Sequence, residues 1–140
     1  MRLRWHTIIL MLIILAGASA SAVYFSLKVS VNVIENEISL SPSSFSINIA
    51  KGAHYVRSVK VYNSGGEAEV YFEEVIEGPD RNAIEVSFHT ESGDSITTSK
   101  KLKLQPGTPD NPSVTVVNVH IDVKKDAPDG SYGIYIYAKR

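Results

Sequence analysis

From Phe25 the apolar residues fall at every second position, Phe25, Leu27, Val29, Val31 and Val33, with Ser26, Lys28, Ser30 and Asn32 between them. A strand with one covered face demands this period, and a membrane helix has no use for it. The run is also rich in β-branched and aromatic residues, which suit a pleated, half-buried surface. The same alternation returns in short runs along the chain: Val59 and Val61, Val70 and Phe72, Ile84, Val86 and Phe88. It continues through Val117, Val119, Ile121 and Val123, and closes with Tyr132, Ile134 and Ile136. Turn signals separate the runs: Ser41-Pro42-Ser43-Ser44, Lys51-Gly52, Asn63-Ser64-Gly65-Gly66, Gly78-Pro79-Asp80, Gln105-Pro106-Gly107 and Asp126-Ala127-Pro128-Asp129-Gly130. Asn63 to Gly66 predicts a hairpin or loop, and the polar residues 90–101 predict a long loop or weak edge strand. Residues 67–77, the one amphipathic option, read better as strand. The chain is therefore expected to be all-β, an antiparallel sandwich of seven to eight strands.

Ahead of this body lie Arg2 and Arg4, an unbroken apolar core at residues 8–15, and the small-x-small triplet Ala18-Ser19-Ala20. These are the three parts of an export signal. The alternative is an uncleaved anchor, because residues 7–27 carry no charge and number twenty-one, enough to span a bilayer as a helix. Both readings leave the arginines in the cytoplasm and everything after Lys28 outside it. The expected division is a signal peptide or membrane anchor at 1–20, an extra N-terminal strand and joint at 21–36, and one sandwich at 37–140. Membrane contact is expected only through residues 1–27, if they are retained.

Composition removes several function classes. Without residues 1–20 the chain has twelve basic and fifteen acidic residues, so it has no electrostatic footprint for nucleic acid. Cysteine is absent, which excludes disulfides, thiolate zinc sites and thiol catalysis. An exported domain of this kind must hold itself together by core burial, which about 100 residues can supply. No Asn-x-Ser/Thr acceptor is present, since Asn111-Pro112-Ser113 has the excluded proline.

The string ISLSPSSFSINIAKGAHYVRSVKVYNSGGEAEVYF resembles the opening of immunoglobulin-like domains of archaeal and bacterial cell-surface proteins. The close, KLKLQPG followed by VTVVNVHIDVKKDAPDGSYGIYIYA, is similar to the same domains, with an Asp-Ala-Pro-x-Gly-x-Tyr turn before the last strand. The resemblance covers residues 37–140 and implies an immunoglobulin-like β-sandwich in an extracellular setting. Pro109-Asp110-Asn111-Pro112 departs from it, as a proline-rich insertion where the family passes straight into its next strand. A looser resemblance, to donor-strand filament and thread subunits of prokaryotic surfaces, concerns the strand ahead of this domain.

No catalytic constellation is legible, and neither an enzyme nor a cofactor is expected. Of the four histidines, His6 lies in the export segment and His54 at a turn, while His89 and His120 have outward parity on strands. None has metal-ligand spacing, so no metal site is expected and solvated strand histidines are the reading. Serines are plentiful, but none lies in a Gly-x-Ser-x-Gly setting. Glu67, Glu69, Glu73, Glu74 and Glu77 form the densest acidic cluster, with Glu67, Glu69 and Glu73 opposite in parity to Val70 and Phe72. Loops 90–96 and 126–131 offer carboxylates, but neither is a calcium-loop motif. Turn chemistry accounts for Asp126 and Asp129.

The strand 25–33 is surplus to the resembling domain. Burying five such side chains stabilises by roughly 1.5–3 kcal/mol each, about 8–15 kcal/mol in all, so this face needs a cover. Three covers are open: its own domain, a neighbouring subunit that receives it as a donated strand, or a membrane-proximal stalk. Donation repeated head to tail gives a filament. The function expected is thus a non-enzymatic extracytoplasmic subunit, self-associating through Phe25, Leu27, Val29, Val31 and Val33. The alternative is a membrane-anchored adhesion or surface-layer-binding module that meets another surface protein through an exposed face. Tyr135 and Tyr137, outward on the last strand, are candidates for that face, with cross-strand packing as their ordinary role. A pilus-chaperone-like role is weaker, because such proteins usually have two of these domains.

Overall fold

The chain changes sheet at every connection. In the computed structural model, which describes residues 25–33 and 37–140, the strands are β1 (Phe25–Val33), β2 (Ile38–Ser41), β3 (Ser44–Asn48), β4 (His54–Asn63) and β5 (Ala68–Glu77). They continue as β6 (Ile84–Thr90), β7 (Leu102–Leu104), β8 (Ser113–Val123) and β9 (Gly130–Lys139). One sheet has the order β3-β1-β9-β5-β7 and the other β2-β4-β8-β6. Odd-numbered strands build the first sheet and even-numbered strands the second, so no two consecutive strands are hydrogen-bonded neighbours. The one helical element among the described residues is the 3-10 turn Arg81–Ala83, N-capped by Asp80. No helix among those residues is long and apolar enough to cross a membrane. The expected export segment at 1–20, residues 21–24 and the joint at 34–36 lie outside the described residues.

The alternation read from the sequence becomes the core. Val59, Val61, Val70, Leu104, Val117, Val119, Ile121, Tyr132, Ile134 and Ile136 are at most 2% exposed and come from both sheets. Phe72 and Phe88 meet across the core with ring centroids 5.1 Å apart. Ile84 is buried and Val86 half-buried on β6. Residues 91–101 form a loop that folds back on β6 through the isolated bridge His89–Ser95, and it sinks Ile96 into the core.

Asn63-Ser64-Gly65-Gly66, expected as a hairpin or loop, is a loop that crosses between the sheets, since β4 and β5 belong to different ones. The Asn63 side chain is fully buried and holds the crossing loop together. Its amide donates to the carbonyls of Gly66 (2.8 Å) and Gln105 (2.9 Å), and its oxygen accepts from the Gly65 N–H (3.0 Å). Gly107 N–H donates to Gly65 O at 2.9 Å. A Cβ on Gly107 would lie 2.2 Å from Asn63 O and 2.4 Å from Ser113 N, so this crossing of two loops admits only glycine. One sequence expectation is corrected, the antiparallel direction throughout: the five-stranded sheet is mixed, because β1 and β9 run parallel. They are the two ends of the described chain, and no short turn forces them to be antiparallel.

A further crossing is fixed at the start of β9. Tyr132 is buried, and its hydroxyl donates to Pro128 O at 2.9 Å, four residues upstream. The ring lies against Gly78, whose φ is +149° and whose Cβ, if present, would meet Tyr132 Cδ1 at 2.5 Å. Burial raises the Tyr132 phenol above its ordinary value, with Asp80 adding to the rise.

Ile134→Ala should destabilise the protein by about 2–5 kcal/mol through lost burial and the cavity left behind. Asn63→Ala should cost about 1–3 kcal/mol by stranding the loop carbonyls and N–H. Urea unfolding followed by circular dichroism measures both.

Candidate functional site

β1 sits between β3 and β9. It pairs antiparallel with β3 from Ser26–Asn48 to Ser30–Ser44, and parallel with β9 from Phe25–Gly130 to Val33–Ala138. Of the expected donation residues Phe25, Leu27, Val29, Val31 and Val33, the side chain of Val29 is described and is fully buried. The ladder is thus supplied within one chain. β1 also joins β3 to its sheet, since β3 has no other ladder partner there.

On the outer face of the same sheet, Tyr135 and Tyr137 have the outward parity expected and are half-buried. In register they stand opposite Val75 and Glu73 of β5. The Tyr135 ring covers Gly133, whose added Cβ would be 3.2 Å from Cε2. Its hydroxyl reaches Glu77, whose charge and hydrogen bond hold the phenol above its ordinary value. Val75 beside it is half exposed, and Tyr71 carries Lys101 5.6 Å above its ring. Lys139 pairs with Glu73 and Lys103 with Glu67, the latter at 3.3 Å. Tyr135 and Tyr137 therefore belong to an aromatic surface edged by carboxylates. Glu74 leaves that face. It has the inward parity of Phe72 and Ile76, and desolvation raises its carboxyl, against its backbone hydrogen bond and with a further rise from Glu73.

The second sheet carries what the sequence reading missed. The register sets His54 of β4 opposite Asp122 of β8, His120 of β8 opposite Ser87 of β6, and His89 of β6 opposite Asn118. Each histidine is two residues along from its neighbour's partner, so the three form a diagonal row across β4, β8 and β6 on the outer face. His54 Nδ1 lies 2.5 Å from Asp122 Oδ1, and His54 Nε2 lies 3.1 Å from His120 Nδ1. The His120 ring stands 4.3 Å from that of His89, whose Nε2 is 3.1 Å from Ser87 Oγ. His54 opens β4 and is not confined to a turn. The available signal was parity, which put His89 and His120 outward. What brings them together is a register between distant strands.

Desolvation, then the neighbouring His89 and His54, hold His120 below the ordinary imidazole value, while Asp122 partly offsets them. Among the described residues, no three His, Cys, Asp or Glu side chains converge in the pose of a metal centre. An open cleft of about 540 Å³ at the mouth of the sandwich is lined by residues including Glu74, Arg81, Glu85 and Lys124. Its charges are mixed and no nucleophile–base pair lies within it.

No family model matches the chain. A protein of Archaeoglobus fulgidus, described as an uncharacterized protein, is 69% identical over 140 residues, which is the full length of both chains. The chain belongs to the family of that archaeal protein. The shared sequence runs through residues 1–24 as well as the two sheets.

The depressed His120 value sets a pH dependence. Near pH 6.5 an unfolded imidazole takes up its proton, whereas folded His120 does so only at lower pH. Between those points the unfolded state binds more protons, so stability falls as pH falls, and above them the group contributes no slope. His120 therefore contributes a loss of Tm between pH 7.5 and pH 5, and His120→Gln should remove that contribution in a calorimetric series.

Proposed function

We propose that the protein is a non-enzymatic, extracytoplasmic immunoglobulin-like module that works by contact at the cell surface. The observation carrying this reading is the place of β1, seated between β3 and β9 of its own chain at the point where the N-terminal apolar segment ends. With Phe25 already in the strand, residues 7–24 remain uncharged, eighteen in all. That is at the short end for a membrane helix and ample for an export signal. On either route the first described strand begins at Phe25, five positions after Ala20.

The immunoglobulin-like reading draws support from the two facing sheets and from Tyr132, whose hydroxyl returns to the backbone four residues upstream. A tyrosine used in this way fixes one corner of many such sandwiches. The contact face is the outer side of the five-stranded sheet, where Tyr135 and Tyr137 stand beside exposed Val75. Tyrosine presents large, rigid contact area at low entropic cost.

A filament subunit is the second reading, favoured by one feature: β1 is held by main-chain ladders to both neighbours. The same slot would accept β1 of another copy, and a head-to-tail exchange that does not close would propagate.

Intact mass and sedimentation velocity of the exported protein, with and without residues 23–33, separate the two. The contact module is a monomer whose deletion variant unfolds. Concentration-dependent polymers of the intact exported protein that the deletion abolishes would establish strand exchange instead. For the contact face, Tyr135→Ser with Tyr137→Ser should abolish retention on cell envelopes while the protein keeps its β-sheet circular dichroism spectrum.

A further inference from the structure

Three imidazoles on one face of a cysteine-free chain are an uncommon concentration of borderline-soft nitrogen ligands. His54 and Asp122 are register partners, and the Nδ1–Oδ1 contact of 2.5 Å holds the His54 proton on Nδ1. That leaves the His54 Nε2 lone pair directed away from Asp122, toward His120 Nδ1 at 3.1 Å. A carboxylate behind an imidazole, setting its tautomer and orientation, is the usual outer support of a histidine that ligates a metal.

We propose that His54 and His120 form the nucleus of a surface site for an imidazole-preferring divalent transition ion such as zinc, with Asp122 as the positioning residue behind His54. Two nitrogens bound tetrahedrally at about 2.0–2.1 Å from zinc stand roughly 3.3 Å apart, so the separation of 3.1 Å needs only a slight opening. On binding, His120 moves its proton from Nδ1 to Nε2, which faces away from the ion, and the hydrogen bond between the two rings is replaced by two metal–nitrogen bonds. His89 is not posed as a third ligand. Its ring is tilted by 59° against that of His120 with centroids 4.3 Å apart, and it would join the ion only by a side-chain rotation away from Ser87. Water fills the remaining position, in keeping with a site on an exposed sheet face.

The strand register makes the arrangement specific. β4, β8 and β6 are adjacent in one sheet, and the row steps two residues per strand, so backbone ladders fix the spacing of all three Cα atoms. Imidazole donors suit zinc, copper and nickel, and the absence of thiolates and of converging carboxylates disfavours calcium or magnesium here.

The test is a titration of zinc chloride into the tag-free full-length chain, by calorimetry and by long-range proton–nitrogen spectra of the imidazoles. One saturable equivalent is expected, with the shifts confined to nitrogens of His54, His120 and His89. His54→Gln and His120→Gln should each weaken binding tenfold or more, and His89→Gln several-fold. Asp122→Asn should weaken it about tenfold while leaving Tm nearly unchanged. His6→Gln should leave the affinity as it is. Absence of a saturable equivalent, or undiminished affinity in the His54→Gln, His120→Gln double variant with its sheet spectrum intact, overturns the site.

Discussion

Strands consecutive in the chain always lie in opposite sheets, so every backbone ladder joins strands that are not neighbours in sequence, and the core forms where the two sheets face each other. Ladders join strands such as β1 with β9 and β4 with β8, while the core joins one sheet to the other. Neither set of contacts persists without the other. A strand deprived of its core partner exposes a row of valines and isoleucines, and one deprived of its ladder partners leaves buried amides unpaired. Such a topology has few local contacts from which to nucleate, so folding rests on many long-range pairings forming together.

Within that scheme β1 and the loop crossings do the connecting. β1 links β3 to β9, and the parallel ladder joins one end of the described chain to the other. At one end of the sandwich the Asn63 amide and Gly107 knit the β4–β5 and β7–β8 loops. Elsewhere Tyr132, seated on Gly78 and bonded to Pro128 O, ties the entry of β9 to the loop after β5. The outer faces of the two sheets differ in chemistry. One is tyrosine-rich and edged with carboxylates, and the other carries the imidazole row.

Much of this was legible in the residues. Strand positions, turn positions and the inward set followed from period-two alternation, and Val29, Val59, Val117 and Ile134 are buried as that alternation requires. The outward parity of Tyr135, Tyr137, His89 and His120 was legible for the same reason. Illegible were the sheet to which each strand belongs, the parallel pairing of β1 with β9, and the gathering of His54, His89 and His120. The Asn63 segment shows why: its turn chemistry was read correctly, but identical chemistry serves a hairpin or a crossing between sheets.

The sequence by itself determined the strand period, the covered face of each strand and the places where the chain must turn, because alternation and turn propensity act between neighbours. The tertiary structure alone decided which strands pair, in which direction and in which register. Those choices depend on matching whole faces across the sandwich, and they carry His54 to His120 across sixty-six positions of sequence.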